Sequence, residues 1–162
     1  IARRLQAFEA EAETALEFEP ETFQQMAGLI CYYNTKNFYY LCVSRDEELG
    51  KCVYIMSRDQ GEYDEPLAPV SIEGWGRVHL KATFSYDRLR FWISRDGETW
   101  LHVGPELDAS ILSDEYAEIS RGRLRIDQGF TGAFVGICAQ DLSGRGIWAD
   151  FDYFTYRETG RD

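Results

Sequence analysis

Two acidic stretches have a spacing that invites chemistry. Paired carboxylates cleave glycosidic bonds, one protonating the leaving oxygen while the other attacks carbon or activates water. A strand presenting Glu-x-Asp-x-x-Glu supplies nucleophile, helper and acid together. "EYDEPL" at 62–67 and "ELDASI" at 106–111 hold the first two acids of that pattern and lack the closing glutamate. These acids therefore read as a solvated surface, and no residue of the chain is assigned a catalytic role. The sequence also has no Gly-x-Ser-x-Gly elbow, no P-loop and no His-Glu-x-x-His helix motif. Cysteines at 31, 42, 52 and 138 have no Cys-x-x-Cys spacing and only His79 and His102 to assist them, so no metal site is expected. They read as small buried thiols, which fits a reducing cytoplasm. The residues name no cofactor.

Composition narrows the partners. A net charge of −11 and a pI near 4.6 exclude nucleic acid and anionic membrane surfaces, both of which need clustered Lys and Arg. No apolar run approaches membrane-spanning length, and no basic segment precedes an apolar one as in a secretion signal. The chain starts at Ile1, which reads as a fragment or a processed piece. Its 162 residues suit one domain with a full core. Ten Tyr, ten Phe and four Trp favour pleated, half-buried surfaces.

The elements that would carry these residues are strands. In "VHLKATFSYDRLRFWISRDGETWLHV", Val78, Leu80, Ala82 and Phe84 alternate with His79, Lys81, Thr83 and Ser85; a turn near Asp87 returns the chain through Leu89, Phe91 and Ile93; Asp96-Gly97 marks the next turn. "SRDGETW" at 94–100 resembles the Asp-box of sialidase hairpins but lacks a residue between Asp and Gly, so it is read as a hairpin turn with Trp100 at its base. "MAGLICYYNTKNFYYLCVSRDEELGKCVYIMSRD" reads as three strands broken at 34–37 and 46–50, and "IWADFDYFTY" as the last strand. Residues 5–18 fit a helical stripe or an alternating strand; the β-rich remainder favours strand. Residues 104–126 read as a long irregular connection with one helical turn. The whole is all-β, a sandwich of two antiparallel sheets.

"DQGFTGAFVGICAQD", residues 127–141, is the unusual stretch. Read by period two it has two apolar faces and no solvent face. Phe130 either caps the core, with Phe134 packed as a core residue below it, or projects from a loop that Gly129 and Gly132 make tight. The rings of Tyr32, Tyr33, Phe38, Tyr39 and Tyr40 would serve cross-strand packing or, if exposed, stacking on sugars.

Taken in order, "GLICYYNTKNFYYL", "SRDGETW", "GFTGAFVGICAQDLSG" and "ADFDYFTY" resemble the C-terminal domain of glycoside hydrolase family 43 β-xylosidases. The resemblance implies a concanavalin-A-like (jelly-roll) β-sandwich over residues 7–158, with 1–6 ending an interdomain segment and 159–162 a tail. It implies that the chain is a non-catalytic accessory domain of a β-xylosidase or α-L-arabinofuranosidase. Its partner is a five-bladed propeller, on the same polypeptide or a separate chain, that holds the catalytic acids and reaches the xylo-oligosaccharide. It further implies that Phe130 and Thr131 contribute to the substrate pocket, with Gly129 and Gly132 supporting the loop. An independent carbohydrate-binding module is the competing expectation, and a homo-oligomer is left open.

Overall fold

The computed structural model describes residues 1–121, 124–127 and 129–160, with the backbone alone for 119–121 and 124–127. Two antiparallel sheets lie face to face. One contains β1 (Ala2–Arg4), β3 (Gln25–Asn34), β4 (Asn37–Asp46), β5 (Gly50–Asp59), β6 (Glu62–Ser71) and β12 (Phe134–Asp141), in the order β1-β12-β3-β4-β5-β6. The other orders β13-β2-β7-β8-β9, from β2 (Glu9–Glu17), β7 (Arg77–Ser85), β8 (Arg88–Ser94), β9 (Leu101–Asp108) and β13 (Asp150–Glu158). A small ribbon pairs β10 (Ile119–Arg121) with β11 (Leu124–Asp127). This is the concanavalin-A-like sandwich.

Alternation decides which side chains meet. Leu29, Leu41, Val53 and Ile55 point inward from the first sheet, and Leu16, Leu80, Ala82 and Phe91 answer from the second, all within one buried cluster. Each large side chain taken fully out of water contributes about 1.5–3 kcal/mol, so the core is carried by this alternation rather than by any single pair.

Of residues 5–18, Glu9–Glu17 form β2, whose Ala10 and Ala12 are buried and whose glutamates point away. Phe8 does not join them; it is exposed and stacks on Tyr86 at 5.7 Å between ring centroids. The connection expected over 104–126 is more regular than its Gly-Pro start suggests. β9 continues through Gly104 and Pro105 to Asp108, followed by a 3-10 turn at Ala109–Leu112 and α1 (Asp114–Ala117). Proline is tolerated there because β9 is an edge strand, as is β6 with Pro66 and Pro69. Gly104, at φ 73°, lies where the pairing with β8 shifts register.

Two turns are built on carboxylates. Asp96 Oδ1 accepts from the backbone N–H of Thr99 and Glu98 and from the Ser94 hydroxyl, which pulls its pKa down to about 2. Asp141 is held at about 2 by the Ser143 hydroxyl first and by the Gly146 N–H among others. A depressed carboxyl stabilises the fold fully above its ordinary value of 3.8 and loses that contribution as pH falls through about 2. Carboxyl resonances followed by NMR should therefore show both groups still ionised at pH 3. Titration of either at its ordinary value would mean that its turn is open in solution.

Candidate functional site

Phe130 is an exposed ring on a loop held by hydrogen bonds. Its loop, 129–133, feeds directly into β12 and is braced from the end of the sandwich. There the 3-10 turn and α1 plug the core with Ile111, Leu112 and Ala117. Ser113 caps α1 by accepting from the Tyr116 N–H, which puts Asp114 in the first turn facing the loop. Asp114 Oδ1 accepts two hydrogen bonds, from the Tyr33 hydroxyl at 2.8 Å and from the Gly132 N–H at 2.9 Å. Burial pushes the Tyr33 phenol up, the Asp114 carboxylate adds to this, and Thr131 works against it. On the far side the Leu5 N–H donates to the Ala133 carbonyl at 2.9 Å. α1 is tied down in turn by the Tyr116 hydroxyl, which donates to Asp59 at 2.8 Å.

Both glycines have a structural reason. A Cβ on Gly129 would stand 2.0 Å from the Asp114 carbonyl oxygen, far inside contact distance. Gly132 has φ 71°, a left-handed conformation that side chains disfavour. The result is a tight loop whose Phe130 ring is 73% exposed, with Thr131 exposed beside it. The structure thus brings Gly129, Phe130, Thr131 and Gly132 together on one braced turn. Tyr33 and Asp114, which position that turn, lie 81 residues apart and carry no local sequence mark beyond an acid after a helix cap. The loop offers a flat apolar surface held in place, suited to packing on a ring and excluding water, not to moving a proton.

Phe134 is not the core residue expected. It is half-buried on the outer face of the six-stranded sheet, under the Arg4 guanidinium at 5.6 Å from the ring centroid. Its neighbour Val135 takes the inward place. The tyrosine cluster divides in the same way. Tyr33 and Tyr39 enter the core, Tyr40 is buried with its hydroxyl donating to the Cys138 carbonyl, and Tyr32 and Phe38 form a half-buried stacked pair on the outer face. Cys31, Cys42 and Cys52 are buried free thiols and Cys138 is half-buried, as their apolar settings suggest. Burial pushes the Cys31 and Cys42 thiols far up, which makes them inert.

Fold and loop together define a concanavalin-A-like sandwich module that displays one braced aromatic at its edge. Residues 1–157 match the family described as "Beta xylosidase C-terminal Concanavalin A-like domain". The chain belongs to that family, the C-terminal domains of glycoside hydrolase family 43 β-xylosidases. It is 40% identical to a β-xylosidase of Bacillus subtilis over 98% of its own length and 29% of the relative's. It is 41% identical to xylosidase/arabinosidase 43B of Humicola insolens, over 97% of this chain and 29% of that protein. The crystal structure of a xylan β-1,4-xylosidase from Bacillus halodurans superposes with a TM-score of 0.88 at 43% identity, again over 97% of this chain and 29% of that one. The chain thus spans less than a third of the length of these relatives.

Proposed function

We propose that this chain is the non-catalytic accessory domain of a β-xylosidase or α-L-arabinofuranosidase, seated on the catalytic propeller and lending it Phe130. The single observation behind this reading is the braced exposure of that ring. An apolar side chain left in water at the tip of a loop hydrogen-bonded from Asp114 on one side and Leu5 on the other is preorganised for a surface outside its own domain. With Phe130 and Thr131 as one wall, the pocket is closed against polymer and takes a chain end, and excluding water strengthens the electrostatics of the acids on the propeller. The relatives, a β-xylosidase, a xylosidase/arabinosidase and a xylan β-1,4-xylosidase, support xylosyl or arabinosyl units as substrates.

Two measurements test the reading. The 162-residue chain alone should hydrolyse no aryl-xyloside, because the acids that would do so belong to the propeller. It should also bind xylo-oligosaccharides more weakly than about 1 mM by calorimetry, since one ring without convergent polar groups cannot offset the entropy of association. Turnover by the chain would overturn the accessory reading, and tight binding would replace it with an independent carbohydrate-binding module. Gly129→Ala tests the bracing itself. The new methyl must push the loop off Asp114, so kcat/KM of the full enzyme should fall several-fold with the Phe130 ring still present. Unchanged kinetics would show that the position of the loop is immaterial.

A further inference from the structure

The outer face of the six-stranded sheet holds an open apolar groove of about 640 Å³, bordered by Phe134, Tyr32, Phe38 and Met56. A smaller and more polar groove, of about 280 Å³, lies at the end of the sandwich that carries Phe130. Phe8 and Tyr86 line it together with Gln6, Glu9 and Glu158. The two rings stack 15° from parallel and stay 76% and 67% exposed, so each keeps a face in water. Hydrogen bonds hold them there. The Tyr86 N–H donates to the Phe8 carbonyl at 2.7 Å, and the Asp87 carbonyl accepts from the Ala109 N–H at 2.8 Å, which ties this turn to the 3-10 segment that plugs the core at the Phe130 end. Tyr86 has φ 57° in the two-residue turn between β7 and β8, a left-handed conformation that glycine or asparagine adopts readily and a bulky side chain resists. A costly backbone kept beneath an exposed ring marks a side chain placed for use.

We propose that the Phe8–Tyr86 pair is a subsite for a sugar unit remote from the scissile bond, holding the far part of a xylo-oligosaccharide whose end sits in the Phe130 pocket. The proposal rests on the accessory-domain reading and adds a second substrate contact to it. Position allows it. The Leu5 N–H bonds to the Ala133 carbonyl, Phe8 follows Leu5 by three residues and Phe130 precedes Ala133 by three, so the backbones of Phe8 and Phe130 stand no more than roughly 26 Å apart, within the reach of a xylohexaose. Chemistry selects the sugar. A pyranose turns an apolar C–H face to an aromatic ring and hydroxyl donors to its sides, and Gln6 and Glu9 present acceptor oxygens beside the two rings. The described lining holds carboxylates and no cation, which favours a neutral, hydroxyl-rich ligand over an anionic one. A protein surface fits a groove this polar less well. Alone such a contact is weak; with the chain end held in the pocket it becomes intramolecular and adds to the grip on longer substrates.

Steady-state kinetics of the full-length enzyme on xylobiose and xylohexaose test the subsite. Tyr86→Gly removes the ring at a turn position that suits glycine, and the ratio of kcat/KM for xylohexaose to that for xylobiose should fall several-fold, through KM. Tyr86→Phe keeps the ring and should hold the wild-type ratio. An unchanged ratio in Tyr86→Gly overturns the proposal, and so does an equal loss on both substrates, which assigns the pair to a protein contact instead. Phe130→Ala separates failure of the subsite from failure of the reading beneath it. Impairment of Phe130→Ala on both substrates, beside a wild-type ratio in Tyr86→Gly, removes the subsite and leaves the pocket. A fully active Phe130→Ala enzyme, beside a reduced ratio in Tyr86→Gly, removes the pocket role of that ring and leaves the subsite.

Discussion

Phe130→Ala in the full-length enzyme is expected to lower kcat/KM about ten- to a hundredfold, the equivalent of roughly 1–3 kcal/mol of transition-state stabilisation lost with one aromatic wall. The melting temperature should not move, because a ring 73% exposed contributes little to its own core. Phe134→Ala is the internal control. Since Phe134 lines the outer groove and not the core, its loss should cost about 1–2 kcal/mol rather than the larger figure of a core phenylalanine. Steady-state kinetics and thermal melts on the two variants give opposite signatures. If Phe130→Ala melts earlier and the enzyme that remains folded is fully active, the ring is a structural cap and the pocket role falls.

Lys51→Ala should be the most damaging change to stability outside the apolar core. Lys51 is buried at the start of β5, and its Nζ donates to Glu19 Oε1 at 2.6 Å and to the carbonyls of Trp75 at 2.6 Å and Gly76 at 3.2 Å. The ammonium therefore ties the six-stranded sheet to the loop that enters β7. Truncation leaves a void and two unpaired carbonyls, an expected loss of about 3–5 kcal/mol. Lys51→Met refills the space and leaves only the carbonyls orphaned, about 1–3 kcal/mol. Glu19→Gln should cost under about 1 kcal/mol, because the Glu19 side chain is 71% exposed and its attraction is screened. Urea midpoints read that order. Equal loss for Lys51→Met and Glu19→Gln would assign the effect to the ion pair instead of the carbonyls.

Much of this architecture is written in local pattern. Period-two alternation over Val78–Phe84 and the turn residues at 34–37, 46–50 and 96–97 mark strands and hairpins that the structure reproduces. The two apolar faces of 134–139 are legible too, since Val135 feeds the core while Phe134 and Cys138 face the groove. What pattern hides is distance. Asp114 reaches Tyr33 across 81 positions, and Lys51 shares the parity of Val53 and Ile55 but finds its partners 24 to 32 positions away. Phe134 is misread for a related reason: a ring beside a valine in an apolar run fits either side of a sheet, and only the loop ending at 133 fixes which side it takes. Gly104-Pro105 looks like a break because β9's place at the edge, which excuses the proline, is a property of the assembled sheet.

The three residues of β1 have a practical meaning for anyone moving this module between enzymes. Ala2 pairs with Gly136 and Arg4 with Phe134, so the segment before residue 7 is part of the sheet and closes the open side of β12. A graft spliced at residue 7 would discard that strand. It would leave a row of unpaired amides and carbonyls beside an apolar groove, a template for aggregation through strand addition. A hybrid enzyme should therefore carry its donor sequence from Ile1 or earlier, and swaps made at the more obvious boundary would be lost to insolubility before their catalysis could be measured.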